Sequence, residues 1–143
     1  MSERAIAMTA ENLEQFMARE FPQVAEDFAV ESVAPMQVRI RMKIGDRHLR
    51  PGGTVSGPSM FALADVAIYF ATLAMIGPVA LAVTTNISMD FMRKPEAGVD
   101  LIAEARLLKL GRSLAVGDVL IYSEGGSDPV ARASMTYAIP PNL

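Results

Sequence analysis

Ser56-Gly57-Pro58-Ser59-Met60-Phe61-Ala62-Leu63-Ala64-Asp65-Val66-Ala67-Ile68-Tyr69-Phe70-Ala71-Thr72-Leu73-Ala74-Met75-Ile76-Gly77-Pro78 is the stretch whose reading decides the fold. Proline at a first helical position and Gly-Pro just past the end punctuate a helix, and the residues between are mostly good helix formers. The stretch predicts a helix from about Pro58 to Ile76. It is apolar on every face and its only charge is Asp65. Such a helix is buried, in a protein core or in lipid. Its length approaches the roughly 20 residues that cross a bilayer. Against lipid stand Asp65, which at mid-membrane costs at least ~2.5 kcal/mol, and the Gly77-Pro78 break. The remainder of the chain also reads as strands of a soluble protein. The expectation is a central helix wrapped by sheet and no membrane. That leaves a carboxylate on the most buried helix, which needs hydrogen bonds, a partner or a function.

Working outward, Thr9-Ala10-Glu11-Asn12 resembles a helix start, with Leu13, Phe16 and Met17 at helical spacing and an end near Phe21-Pro22. Residues Phe28 to Val33 alternate like a strand. From Met36 to Ile44 the alternation is clear: Met36, Val38, Ile40, Met42 and Ile44 share one face, and Gln37, Arg39, Arg41 and Lys43 the other. Gly45 to Val55 is a loop. After the helix come strand patterns within Val79 to Met92, Leu101 to Lys109, Ser113 to Tyr122 and Val130 to Ile139, with turns at Gly111 and Gly125-Gly126. A short helix, two strands, one long helix and four strands imply an α+β fold with an antiparallel sheet. One sheet leaves part of such a helix uncovered, so a dimer is expected.

The 143 residues predict one domain, 1–143, with residues 1–27 as a helical lead-in. The net charge of −3 points to neither nucleic acid nor an anionic membrane. With no Cys and one His, thiolate chemistry and a multi-histidine metal site within one chain are excluded. Residues 1–10 lack the apolar run of a signal peptide, and the expected location is the cytoplasm.

The order of elements resembles the hotdog-fold thioesterases, specifically the PaaI-like (phenylacetic-acid-type) acyl-CoA thioesterase branch. The likeness rests on the loop into the helix and Leu63-Ala64-Asp65. It rests also on Thr85 to Arg93, Ala103-Glu104-Ala105-Arg106, Lys109 to Leu114 and Ala131-Arg132-Ala133. It implies an antiparallel curved sheet around one long helix, a homodimer or a dimer of dimers with sites at the dimer interface, and hydrolysis of a small or medium acyl-CoA, aliphatic or aryl. Coenzyme A would be part of the substrate, and no cofactor or metal is implied. In that family a His-Gly-Gly opens the helix and an acidic residue follows nine positions after the His. The same register here holds Ser56, Gly57, Pro58 and Asp65, so the His and the second Gly are replaced. An Asn that several relatives carry in the preceding loop corresponds to Arg50.

The resemblance assigns Asp65 as general base or nucleophile and Gly57 N–H as oxyanion donor. Thr84 or Thr85 would be a supporting hydroxyl from the facing subunit. Pro58 has no N–H, so the helix donors are Gly57, Ser59 or Met60. Ser56 reads as a helix cap or a substrate contact, Arg50 as a carbonyl or phosphate contact or a solvated charge. Arg93, Lys94 and Arg112 could meet the nucleotide phosphates. Phe61 and Tyr69 would lie along the acyl group, and Asn86 near the site. Two other readings compete. The Ser56 and Pro58 replacements suit a non-catalytic acyl-CoA-binding protein. His48 with Asp65 would suit a 3-hydroxyacyl dehydratase, although their separation of seventeen positions is long for it.

Overall fold

The computed structural model describes residues 5–141, so the first four residues of the 1–27 lead-in and the last two of the 1–143 domain lie outside it. Two helices and six strands follow in the expected order: α1 (Ala10–Glu20), β1 (Phe28–Ala34), β2 (Gln37–Met42), α2 (Gly57–Ile76), β3 (Val83–Phe91), β4 (Leu101–Leu110), β5 (Leu114–Ser123) and β6 (Ala131–Ala138). The strands form one antiparallel sheet in the order β1-β2-β4-β5-β6-β3, and α2 packs against β2 to β6. This is the hotdog arrangement, with one long helix held in a curved sheet.

The helix α2 has the length and mean hydropathy, 1.8, of a membrane span, yet two-thirds of it is buried inside this fold. Leu63, Ala64, Ala67, Ile68, Phe70, Ala71, Leu73 and Ala74 are all inaccessible to solvent. Their cover is the inner face of the sheet, whose period-two pattern supplies Ile40, Met42, Ala103, Val119, Ile121 and Met135. Small residues on α2 let the helix lie close to the strands. At Gly117 on β5 the approach leaves no room for a side chain: a Cβ there would stand 2.6 Å from Ile68 Cδ1 and 2.8 Å from the Arg106 carbonyl oxygen.

Two details depart from the sequence pattern. Met36 does not begin β2. It sits at φ 66 in the β1–β2 turn, after Pro35, with its N–H directed at Met75 Sδ. On β3, Ile87 and Met89 are only half-buried and Phe91 is 53% exposed. The alternation is present, but β3 is an edge strand and α2 does not cover its whole length.

At its N-terminus α1 carries a reciprocal cap. Thr9 Oγ1 accepts from Asn12 N–H and Asn12 Oδ1 from Thr9 N–H. Leu13, Phe16 and Met17 are its buried face. Glu14 Oε2 accepts from Val30 N–H at 2.8 Å, beside the β1 bulge, and ties α1 to the sheet. The N-terminal half of α2 remains open on one side, where Phe61 is 42% exposed and Val66 half-buried. Val66 shares a cavity with the exposed Val83, at the start of edge strand β3.

Candidate active site

Asp65 lies two turns into α2, half-buried, on a cavity of about 430 Å³. Its Oδ1 accepts two hydrogen bonds, one from Thr84 Oγ1 at 2.5 Å and one from Tyr137 Oη at 2.5 Å. Thr84 and Tyr137 face one another across the β3–β6 ladder, so a single cross-strand pair delivers both hydroxyls. Among the described residues no donor reaches Oδ2. The remaining wall is apolar: Met17, Phe21, Val24, Val66, Tyr69, Ala80, Ala82 and Val83. Tyr69 donates to the Ala80 carbonyl at 3.0 Å and lies 5.8 Å, centroid to centroid, from Tyr137. Burial, and then the charge of Glu20, push the Tyr69 phenol up to about 12. Tyr137 is raised further still, by burial first and then by the Asp65 charge. Both phenols are therefore hydrogen-bond donors at any working pH.

The N-terminus of α2 opens on a second cavity, also about 430 Å³, lined by Gly57, Met60, Phe91 and the cations Arg50, Arg93 and Lys94. Ser56 caps the helix: its Oγ accepts from Ser59 N–H at 3.3 Å and donates to Ser59 Oγ at 3.0 Å. Met60 N–H is taken by the Ser56 carbonyl at 3.1 Å. Pro58 has none to give. Of the possible helix donors, Gly57 N–H is therefore the one without an acceptor among the described residues. The Phe91 ring lies over Gly57, 3.4 Å from where a Cβ would be.

The loop before the helix is shaped by Pro51-Gly52-Gly53. Gly52 and Gly53 take φ of 103° and 83°, values that suit glycine. The loop closes through Arg50 N–H to Thr54 O and Ser56 N–H to His48 O. His48 is 6% exposed. Gly45 N–H donates to its Nδ1 at 2.9 Å, and its Nε2 stands 3.4 Å from the 8% exposed Asp27, which also pairs with Arg47. The histidine braces the loop through Asp27 and Gly45, and within the chain it makes no contact with Asp65 among the described residues.

Other expected residues lie elsewhere. Thr85 Oγ1 turns to the opposite face and donates to the Thr136 carbonyl at 3.3 Å. Asn86 is exposed. Arg112 lines a separate cavity at the far end of α2, with Ile76, Val79 and Ile139. Arg93 also approaches Asp128 at 3.4 Å. The threonine hydroxyl that reaches Asp65 within the chain is that of Thr84. Tyr137, Met17, Phe21 and Val24 line the Asp65 cavity but are not among the site residues expected from sequence. Among the described residues no cluster of His, Asp and Glu could hold a metal ion.

The family described as the Thioesterase superfamily matches residues 52–130, more than half of the chain. The solved structure of a Silicibacter sp. protein described as a thioesterase is 54% identical, with a TM-score of 0.91 over 98% of this chain and 97% of that one. Human acyl-coenzyme A thioesterase 13 is 28% identical over 83% of this chain and 84% of its own. A mutant of the Thermus thermophilus phenylacetic acid degradation protein PaaI is 30% identical, with a TM-score of 0.71 over 83% of this chain and 99% of that one.

Proposed function

Because this chain belongs to the thioesterase superfamily and resembles its PaaI-like members, we propose that it hydrolyses an acyl-CoA thioester, the acyl group being small or medium in size. The observation that carries the reading is the division of the chemistry along α2. A carboxylate faces an apolar cavity and a helix N-terminal N–H faces a cationic one, and among the described residues one carboxylate oxygen and that N–H have no partner. The acyl group fits the first cavity and the phosphates of coenzyme A fit Arg50, Arg93 and Lys94 at the second. Gly57 N–H and the helix dipole would stabilise the oxyanion. Asp65 would take a proton from water as the water oxygen bonds to the carbonyl carbon. Collapse then breaks the C–S bond, and the thiolate recovers a proton. Direct attack by Asp65 Oδ2 is the nucleophilic variant of the same assignment.

Eight residues of helix separate Gly57 from Asp65, about 12 Å along the axis, too far to serve one carbonyl. We therefore place the working site between two copies of the chain, with Gly57 from one and Asp65 from the other. Thiol release from a panel of short, medium, long and aryl acyl-CoAs tests the reading. Asp65→Asn should lose about 10²-fold or more in kcat while staying folded. Mixing inactive Asp65→Asn with inactive Gly57→Pro subunits should restore about a quarter of wild-type activity, since half of the pairs are mixed and each holds one intact site. Equal activity of wild type and Asp65→Asn would remove Asp65 from the mechanism. CoA binding without turnover by wild type would favour the non-catalytic alternative, which the Ser56 and Pro58 replacements motivate.

A further inference from the structure

We propose that Tyr137 is a positioning residue for Asp65. Its hydroxyl, together with that of Thr84, occupies Oδ1 and leaves Oδ2 as the oxygen presented to the reacting carbonyl. The inference rests on the hydrolase reading above and deepens it. Tyr137 lies beyond residues 52–130, where the family match ends.

The geometry is specific. The Tyr137 hydroxyl stands 2.5 Å from Asp65 Oδ1 and 3.0 Å from the Asp65 backbone carbonyl, so both of its acceptors belong to one residue. Tyr137 is 3% exposed. Its ring is flanked by Tyr69, whose own hydroxyl is fixed on Ala80, and its strand is paired on both sides, with β3 and β5. The phenol therefore has little freedom to turn away. A carboxylate held by one donor could rotate about Cβ–Cγ and offer either oxygen. Held by two donors on Oδ1, from a phenol and an alcohol on adjacent strands, it is fixed in plane and direction. The remaining oxygen opens on the cavity that would take the substrate.

The test compares Tyr137→Phe, Thr84→Val and Thr84→Ser, and repeats Tyr137→Phe in the Asp65→Asn background. Loss of one charge-assisted hydrogen bond should lower kcat roughly 10- to 100-fold. KM for the best substrate should change little. Thr84→Ser should retain activity that Thr84→Val loses. With Asp65→Asn already present, Tyr137→Phe should cost nothing more, because its effect passes through that carboxylate. A 4-aminophenylalanine at position 137, which keeps a donor, should restore most of the rate and serves equally if the Phe variant folds poorly.

An unchanged kcat in Tyr137→Phe, or an equal loss with and without Asp65, overturns the inference while leaving the hydrolase reading intact. A wild-type protein that hydrolyses no thioester overturns both.

Discussion

Replacing Gly117 by alanine probes the feature on which the whole site depends, the height of α2 above the sheet. The new methyl would lie 2.6 Å from Ile68 Cδ1, 2.8 Å from the Arg106 carbonyl oxygen and 3.3 Å from Leu107 Cδ2. Ile68 is fully buried, so its side chain can yield only against other core residues. The Arg106 oxygen is backbone on the paired strand, next to the Leu107/Lys109 irregularity, and moves only with the strand. Overpacking of this kind costs typically 1–3 kcal/mol, offset by about 0.4–1 kcal/mol from the lower entropy of the unfolded chain. The net loss should be about 1–2 kcal/mol. For 143 residues, at about 2.1 cal/mol/K per residue, that lowers the melting temperature by roughly 3–7 °C. Ile68→Val removes the Cδ1 atom. Alone it should cost about 0.5–1.5 kcal/mol, but in the Gly117→Ala background it should cost less or stabilise, a coupling near 1 kcal/mol. The carbonyl contact persists, so the rescue is partial. Ile68 lies one turn from Asp65, and a helix lifted at Ile68 should also lower kcat. Thermal unfolding of the four proteins at one protein concentration measures the cycle. An unaltered melting temperature in Gly117→Ala, or strictly additive effects, would refute the close helix–sheet contact.

The Ser56 cap should be structural: Ser56→Ala removes the acceptor for Ser59 N–H and should cost about 1 kcal/mol, roughly 3 °C, with kcat kept within a few-fold. A large loss of kcat without a change in melting temperature would give Ser56 a place in the chemistry instead. Burial, and then the adjacent Arg47 guanidinium, hold His48 below its ordinary 6.5, while Asp27 is already engaged by Arg47. As the pH falls below about 6.5 the unfolded chain takes a proton that the folded chain resists, so the stability His48 provides is complete above that pH and drains below it. The difference in melting temperature between wild type and His48→Gln should accordingly shrink from pH ~7.5 to pH ~5.5. Parallel curves would show that His48 does not titrate differently in the folded state.

Local signals carried far in this chain. The Ser-Gly-Pro opening and Gly-Pro exit set α2, and observation extends the expected start at Pro58 by only one residue. The period-two faces of β2, β4, β5 and β6 are the buried faces of the sheet. Asp65 drew attention because a charge on an all-apolar helix demands partners. What the sequence hid was the identity of those partners. Tyr137 meets Asp65 across 72 positions of chain, and only the β3–β6 register brings it there. One signal was available: Ala131, Ala133, Met135 and Tyr137 share a buried face, and a buried phenol needs an acceptor. The contribution of Met17, Phe21 and Val24 to the cavity depends on where α1 docks, which its amphipathic pattern leaves open. The choice between Thr84 and Thr85 depends on which face each presents at the bulge between Thr84 and Asn86. A single residue of register decides it.

The same all-round apolar character that buries α2 also bears on the division of the site. A sheet covers one side of a helix, and α1 covers part of the rest. At the N-terminal half Phe61 and the open side of Val66 stay exposed, and among the described residues the adjacent β3 has a ladder partner only on its β6 edge. Gly57 and Asp65 lie on this same half of the helix, and the helix is too rigid to bring them together. A second copy laid along β3 would cover the apolar surface and pair the free edge. On the proposed reading it would also set one copy's glycine against the other's aspartate. On the proposed reading, then, the exposed apolar surface and the separation of base from oxyanion donor share one origin. Each chain folds around a helix that a single sheet cannot fully enclose.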